Sequence, residues 1–394
     1  MKDFLLEKFF KVFNYKPKDF RIFFAPGRVN LIGEHTDYTG GLVFPASINC
    51  GTYILAVKNN TKIIKISSLN FDKEIINIDI EKVQTKDGNW ADYFKGCFKE
   101  LKIDHEIDIG FDALVYGNIP NGSGLSSSAS FEMVSLITIM GINNIKIPEN
   151  GSKEMVELTI KAKNCENNFV GVNCGIMDQF AIGNGKKNCA IMLDCFDLSF
   201  SYASLDLGEY SILVSNTNKK RRLEESKYNE RRKECEDGFE MLKRFGVSKQ
   251  SLGRVTIEEW DNLKDKFNDN PIIKKRLNHV ITENTRVKRA YNLLKSNNIL
   301  AFSNLLNFSG DSLRDDFEVT GFHLDAMVES SRTTPGVVAS RMTGAGFGGC
   351  AVSIVEKNKL DKIIKEITKK YFEKTNIPPE FYSFEIDDGA REIF

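Results

Sequence analysis

The sequence predicts an α+β fold with mixed or antiparallel sheets and packed helices, and two features of the chain indicate it. Apolar and polar residues alternate over much of the first third, which is typical of strands. The clearest of these segments, expected to form an antiparallel meander, are residues 51–58, 62–67 and 74–80. A block at residues 257–306 has helical periodicity instead, with a breaker at 268–271 between two helices.

Further strands and helices follow from the same periodicities. The other predicted strands are residues 21–24, 109–116, 188–194, 210–215 and 351–355. The other predicted helices, after one at the N-terminus, are residues 90–101, 125–140, 154–167 and 221–245.

Length and the change of pattern along the chain predict a division into domains. At 394 residues the chain is long enough for two domains, or for one large two-layer domain with a sizeable core. The passage from strand-rich to helical sequence favours two domains with a boundary near residue 217. The predicted division is therefore 1–216 and 217–394.

Composition excludes several classes of partner. The formal net charge is zero, so no basic field indicates a nucleic-acid or membrane partner. Residues 1–10 mix acids and bases with apolar residues, which predicts an amphipathic helix and not a signal peptide. The eight cysteines form no Cys-x-x-Cys pair and the four histidines lie far apart, so neither zinc nor disulfides are expected. We expect a soluble, cytoplasmic protein with free thiols.

A glycine-rich turn at residues 120–130, PNGSGLSSSAS, links the predicted strand 109–116 to the helix that follows. Such a turn lets backbone N–H groups converge on an anion at a helix N-terminus. The turn is not a Walker loop, because Ser123 and Gly124 stand where Lys and Ser/Thr are required. A phosphate site is predicted, and the alternative is an ordinary loop with a serine-rich cap.

Residues 25–41 combine arginine, asparagine, glutamate, histidine and aspartate between turn-forming residues. Such dense charge beside apolar residues indicates a polar pocket for a hydroxyl-rich ligand. Glu34 and Asp37 can accept hydrogen bonds from sugar hydroxyls, and His35 can donate or accept. The alternative is a buried ion-pair network between Arg28 and an acid.

An acid in an apolar setting indicates a third functional stretch, residues 169–180. Asp178 lies among apolar residues, where a carboxylate is expected to be paired or functional, and Arg28 is the predicted partner. Glu166 is a second acid, available to a metal ion. Trp90 and Tyr93 are either core residues or a stacking surface for a base.

A late glycine run, Gly344, Gly346 and Gly349, has dinucleotide-motif spacing. The run precedes a strand instead of a helix, which argues against a Rossmann site. Glycines beside a strand allow the backbone to approach a ligand closely.

These stretches together resemble the galactokinase family of the GHMP small-molecule kinase superfamily. Residues 26–41 are similar to its sugar signature, 120–130 to the superfamily phosphate loop and 342–350 to the third superfamily motif. The resemblance implies a two-domain GHMP kinase-like fold with its site in the interdomain cleft. It also implies ATP-dependent phosphorylation of the galactose C1 hydroxyl, the first committed step of galactose catabolism, by a monomer that uses Mg²⁺.

The resemblance also implies a role for each matching residue. Asp178 would be the acid that faces the C1 hydroxyl, and Arg28 the neighbouring cation. The sugar would be held by Glu34, His35, Thr36, Asp37, Gly175 and Tyr228. The nucleotide would contact Gly122, Ser123, Gly124, Leu125, Ser126, Ser127, Ser128, Ser68, Trp90 and Tyr93. Mg²⁺ would be held by Ser128 and Glu166.

Two alternatives remain open at the level of sequence. One is a kinase for a related sugar such as N-acetylgalactosamine, since the sequence does not show how much room lies at the sugar C2 position. The other is a galactose- and ATP-binding regulator that has lost catalysis. Against the regulator, no residue proposed for catalysis is visibly missing from the chain.

Overall fold

The computed structural model confirms the predicted α+β fold. It describes residues 1–71, 74–82, 85–120, 122–219 and 224–394. The strands are β1 (Arg21–Asn30), β2 (Leu42–Val43), β3 (Pro45–Lys58), β4 (Ile63–Ser68), β5 (Ile76–Asp79), β6 (Phe111–Gly117), β7 (Cys189–Asp194), β8 (Phe200–Ser204), β9 (Tyr210–Asn216), β10 (Val337–Thr343), β11 (Cys350–Glu356), β12 (Glu380–Ser383) and β13 (Arg391–Glu392).

Eleven α-helices are found among the described residues. They are α1 (Lys2–Phe13), α2 (Ala91–Leu101), α3 (Ser127–Ile142), α4 (Lys153–Asn164), α5 (Met177–Asn184), α6 (Glu224–Arg244), α7 (Ile257–Leu263), α8 (Pro271–Lys295), α9 (Ile299–Asp315), α10 (Phe322–Arg332) and α11 (Leu360–Thr375). The predicted breaker at 268–271 lies between α7 and α8. Helix α8 begins at Pro271, because proline is tolerated at the first position of a helix. Residues 221–223 of the predicted helix 221–245, and Asn121 of the glycine-rich turn, lie outside the described residues.

The first sheet has six strands in the order β13-β1-β3-β6-β4-β5. The expected antiparallel meander is wrong, because β6 lies between β3 and β4 and pairs with β4 in parallel. Buried residues follow one another without alternation through Ala113, Leu114 and Val115 of β6. A strand that is apolar on both faces gains most from a central position in a sheet, which explains the insertion.

Strand β1 is longer than the predicted 21–24 and continues through Pro26 to Asn30. The register with β3 shifts between Pro26 and Gly27, and such irregularities are where a strand tolerates proline. Part of the segment predicted as a polar loop is therefore strand. This extension carries Arg28 to its place in the site.

Two smaller sheets complete the β structure, in the orders β10-β11-β9-β12 and β2-β7-β8. Strand β8, a short segment that the sequence analysis did not identify, pairs with β7. Strand β9 pairs with strands from the C-terminal part of the chain, whereas β13 pairs with β1 near the N-terminus. The division at 216/217 stays a prediction. Strands from opposite sides of this boundary pair with each other in two of the sheets.

Helices cover the six-stranded sheet on both faces. Phe23 and Ile54 face α2, α3 and α4 in one core, whereas their neighbours Ile22 and Leu55 face α1. Because successive strand residues point to opposite faces, the two cores follow directly from the alternation. Another core joins the ends of β1 and β3 to β9, β11, α8 and α9. This shared core fixes the two halves of the chain around a cleft.

Helix α3 is buried along almost its whole length and begins at Ser127, two residues later than predicted. Gly122, Gly124 and Ser126 have positive φ angles, so the preceding turn cannot join the helix. Helix α4 ends at Asn164 and continues as a π-helical turn, Cys165–Val170, that contains Glu166. Single π-helical turns are frequent at functional sites.

Candidate active site

A cavity of about 440 Å³ lies in the cleft between the two halves of the chain. The end of β1, the turn before α3 and the start of α5 line it from one side. The start of α6 and the glycine run after β10 line it from the other. All three stretches singled out in the sequence, together with the late glycine run, therefore meet at one place.

Arg28 and Asp178 form a two-pronged ion pair inside this cavity. Arg28 Nε donates to Asp178 Oδ1 at 2.8 Å, and Nη2 donates to Oδ2 at 2.7 Å. The third guanidinium nitrogen, Nη1, donates to the Gly124 carbonyl at 2.6 Å. The Arg28 side chain is 5% exposed and that of Asp178 is 31% exposed. The predicted pairing is present, and the half-open position leaves the carboxylate accessible from the cavity.

Ser126 contributes to this pair in a way that the sequence did not indicate. Its hydroxyl donates to Asp178 Oδ2 and its backbone is left-handed, with φ of 66°. The predicted role of Ser126 was nucleotide binding. In the structure the side chain orients the acid, so that the phosphate loop and the acid are held as one unit.

The turn before α3 presents groups suited to an anion. The described residues 122–128 all line the cavity, and the N-terminus of α3 begins within them. The Ser123 hydroxyl is buried and has no hydrogen-bond partner among the described residues. A Cβ on Gly344 would lie 3.3 Å from the Gly124 carbonyl oxygen, so glycine there lets the late glycine run approach the turn. Both backbones line the cavity, which is suited to a phosphate chain.

Asp37 and Gly175 lie close together in the lining of the cavity. A Cβ on Gly175 would lie 1.7 Å from Asp37 Oδ2, so only glycine permits this position of the carboxylate. Burial, aided by the nearby Asp178, raises the pKa of Asp37 from 3.8 to about 6. The carboxylate is therefore poorly solvated, and hydroxyl donors from a ligand would stabilise its charged form.

Glu34, His35 and Tyr228 also line the cavity. Glu34 Oε1 is held by Arg341 at 2.9 Å, and it accepts hydrogen bonds from the Thr343 hydroxyl and the Gly344 N–H. Burial lowers the pKa of His35 to about 3, so the imidazole is neutral at physiological pH. The His35 and Tyr228 rings lie 5.6 Å apart between centroids. These contacts hold three polar side chains in fixed directions.

Thr36 is the one predicted sugar-binding residue that the structure does not bring to the cavity. Its hydroxyl lies 2.9 Å from the Gly33 carbonyl oxygen and 2.7 Å from the Leu42 carbonyl oxygen, and its one hydrogen is shared between them. The side chain is fully buried. A hydroxyl closing a turn in this way supports the neighbouring residues and is not directed at a ligand.

A second cavity, of about 260 Å³, adjoins the first on the other side of the α3 N-terminus. Ser127 and Ser128 line both cavities. Ser68, Trp90 and Tyr93 line the second, and the Trp90 ring stacks on Phe71 with 5.8 Å between centroids and 6° between planes. Trp90 also packs against the core, and its use as a stacking surface for a base stays a prediction. An aromatic cavity joined to an anion site is suited to a nucleotide.

Ser128, which lines both cavities, hydrogen-bonds to the buried Glu166 carboxyl group, which is not among the residues that line either cavity. Burial raises the pKa of Glu166, and hydrogen bonds from Cys174 and Ser128 oppose that shift. Within the described part of the chain, no group of three or more His, Cys, Asp or Glu side chains could hold a metal ion. One carboxylate and one hydroxyl are hard oxygen donors that suit Mg²⁺ when phosphates and water supply the other ligands.

Two buried residues beside this position were missed in the sequence. Gln179 donates from Nε2 to Glu166 at 2.7 Å and to Glu132 at 3.0 Å. The sequence held a signal for each, since Glu132 lies four residues after Ser128 on a predicted helix and Gln179 directly follows Asp178. Neither signal is distinctive without the fold.

Comparison with known proteins first defines the class. Models of the GHMP kinases N terminal domain and the GHMP kinases C terminal region match residues 92–186 and 290–374. The fold and the glycine-rich turn are thus those of a GHMP small-molecule kinase. A mevalonate kinase structure with a TM-score of 0.64 and 17% identity, covering 92% of this chain and 99% of its own, shares the fold alone.

Further matches define the family within that class. The galactokinase galactose-binding signature matches residues 7–58. The galactokinase of Clostridium acetobutylicum is 46% identical over 390 residues, covering 98% of both chains. That of Fusobacterium nucleatum is 45% identical over 392 residues, covering 99% of both. The chain belongs to the galactokinase family.

A solved structure agrees with this assignment over the full length. Lactococcus lactis galactokinase complexed with galactose has a TM-score of 0.93 and 42% identity, and the match covers 100% of both chains. Among the described residues, no helix is long and apolar enough to cross a membrane.

Proposed function

We propose that this chain transfers the γ-phosphoryl group of ATP to the C1 hydroxyl of galactose, giving galactose 1-phosphate and ADP. The observation that carries the proposal is the Arg28–Asp178 pair, set beside the N-terminus of α3 in one cavity. The galactose-binding signature covers Arg28, Glu34, His35 and Asp37, which line that cavity. Full-length relatives named as galactokinases support the same substrate.

Asp178 orients the C1 hydroxyl and accepts its proton. The C1 oxygen then bonds to the γ-phosphorus, the bond from that phosphorus to the ADP oxygen breaks, and the proton passes to the Asp178 carboxylate. Arg28 and the Ser126 hydroxyl hold both carboxylate oxygens, which fixes the direction of attack. Holding the two reactants in line is the main contribution that a protein makes to such a transfer.

Polar groups around the rest of the cavity hold the sugar. Asp37 and Glu34 accept hydrogen bonds from hydroxyls, and neutral His35 can donate or accept. Gly175 contributes by leaving room for the Asp37 carboxylate. Charge on the transferring group is stabilised by Arg28 and by the backbone amides of the turn before α3.

Mg²⁺ fits this site and would be held by Ser128 and Glu166, beside the predicted path of the phosphates. When bound, the ion would neutralise charge on the β- and γ-phosphates. The nucleotide base would lie in the second cavity, against Trp90 and Tyr93. The monomeric state and the cytoplasmic location stay predictions.

A substrate panel tests the proposal. ADP release is measured with Mg²⁺ and ATP for galactose, glucose, N-acetylgalactosamine, mevalonate and homoserine. We expect turnover with galactose to exceed that with each other compound. Preferred turnover of another sugar would overturn the substrate, and galactose binding without ADP release would favour the regulator.

A further inference from the structure

Gln179 is fully buried at the third position of α5, directly after Asp178. Its amide nitrogen donates to Glu166 Oε2 at 2.7 Å and to Glu132 Oε2 at 3.0 Å. An amide NH₂ group has two hydrogens, so both are used on carboxylates. Burial and the nearby Glu166 raise the pKa of Glu132 well above its ordinary value, and the hydrogen bond from Gln179 opposes that shift.

The two acids reach this amide from different elements. Glu132 lies four residues after Ser128 on α3, so the two side chains share one face of that helix. Glu166 reaches the same point from the π-helical turn after α4. Gln179 supplies the hydrogen-bond donor between these two buried acids.

The position of Gln179 along α5 adds a connection between the two substrates. Asp178 turns toward Arg28 on the sugar side, whereas its neighbour Gln179 turns toward Glu166 on the nucleotide side. The first turn of α5 therefore positions the Asp178 carboxylate directly and the Glu166 carboxyl group through Gln179. A shift of α5 would displace the acid and the proposed metal ligand together.

We propose that Gln179 is a positioning residue that, by donating to Glu132 and Glu166 at once, holds the Glu166 carboxylate in place for a divalent cation beside Ser128. The inference rests on the proposed function, because it is the kinase reaction that requires a cation at this point. Without the amide, Glu166 keeps hydrogen bonds from the Cys174 thiol, at 3.1 Å, and from the Ser128 hydroxyl, but it loses its link to α5. Supporting partners of this kind typically change metal affinity by about 10- to 100-fold.

The test replaces Gln179 by methionine, which has similar length but no N–H donor. The affinity of Mn²⁺ for the enzyme bound to a non-hydrolysable ATP analogue is measured by electron paramagnetic resonance. We expect Gln179→Met to weaken Mn²⁺ binding by about tenfold. Ile182→Met, a substitution in the buried part of the same helix, serves as the matched control and should leave the affinity within about twofold of wild type.

A second pair of variants separates positioning from general damage. Gln179→Asn keeps the amide but is one methylene too short to reach both acids, and it should weaken Mn²⁺ binding like Gln179→Met. In a Glu166→Ala background, Gln179→Met should weaken Mn²⁺ binding no further, because the carboxylate that Gln179 positions for the metal ion is already absent. Thermal unfolding without metal records any loss of stability separately.

Several results would overturn the inference. Unchanged Mn²⁺ affinity in both Gln179 variants would do so, as would equal weakening with and without Glu166. Unchanged affinity in Glu166→Ala alone would remove the proposed metal ligand and the inference with it. Sugar preference is measured independently in the substrate panel, so failure of the galactose assignment would be recognised separately.

Discussion

Substitution of Asp178 by asparagine removes the acid while keeping the shape of the side chain. Arg28 directs one N–H at each carboxylate oxygen, at 2.8 and 2.7 Å. Asparagine offers only one acceptor oxygen, so its NH₂ group must face an Arg28 donor in either orientation. The substitution therefore removes the proton acceptor and leaves a buried arginine poorly neutralised.

The structure allows the loss of stability and the loss of activity in Asp178→Asn to be estimated separately. Removing one partner of a buried ion pair costs about 3–5 kcal/mol, and the 31% exposure of the Asp178 side chain reduces this to about 1–3 kcal/mol. Loss of the proton acceptor should lower kcat by at least about 100-fold, equivalent to about 2.7 kcal/mol. Nucleotide affinity should stay nearly unchanged, because Asp178 does not line the second cavity.

Three measurements separate these effects: galactose-dependent ADP release, urea unfolding and nucleotide binding. The control is the double variant Arg28→Met with Asp178→Asn, which removes both partners. It should regain part of the stability lost in Asp178→Asn and none of the activity. Near-normal turnover by Asp178→Asn would refute the assignment of Asp178 as the proton acceptor.

Two other predictions concern the sugar and nucleotide sides of the site. The pKa of Asp37 is about 6 in the folded protein, compared with an ordinary value of 3.8. Between these pH values the folded state binds one more proton than the unfolded state, so the free energy of unfolding falls as the pH rises. Asp37→Asn should be more stable than wild type by about 1–3 kcal/mol at pH 7, yet it should bind galactose at least about tenfold more weakly. If urea unfolding gave the same dependence of stability on pH for wild type and Asp37→Asn, this prediction would be contradicted. ATP should change the fluorescence of Trp90, since the only other tryptophan, Trp260, is 1% exposed in the second half of the chain. The signal should survive Trp260→Phe and disappear in Trp90→Phe, and the reverse pattern would place the base elsewhere.

Local sequence patterns predicted much of the fold. Alternation located most strands, and proline with its preceding polar residues located the break before α8. Strand order was not predictable, because the parallel pairing of β4 with β6 depends on contacts between distant segments. The continuation of β1 through Pro26 was missed for the same reason, since only pairing with β3 shows that the backbone stays extended.

The candidate site was predicted where charge or glycine is locally conspicuous. Asp178 among apolar residues indicated a buried partner, and Arg28 lies there. Ser126 and Thr36 show the limit of this reasoning, because a hydroxyl can turn toward a ligand, a side chain or the backbone. Gln179 was missed because its significance depends on two acids from other elements.

The central claim is that this cavity directs the γ-phosphoryl group of ATP to one hydroxyl of galactose. Phosphorus-31 NMR of the product from galactose, ATP and Mg²⁺ tests it most directly, because the coupling identifies the phosphorylated carbon. We expect a single sugar phosphate, galactose 1-phosphate, formed together with ADP. Phosphate on another carbon, or ADP release with no sugar phosphate, would contradict the account.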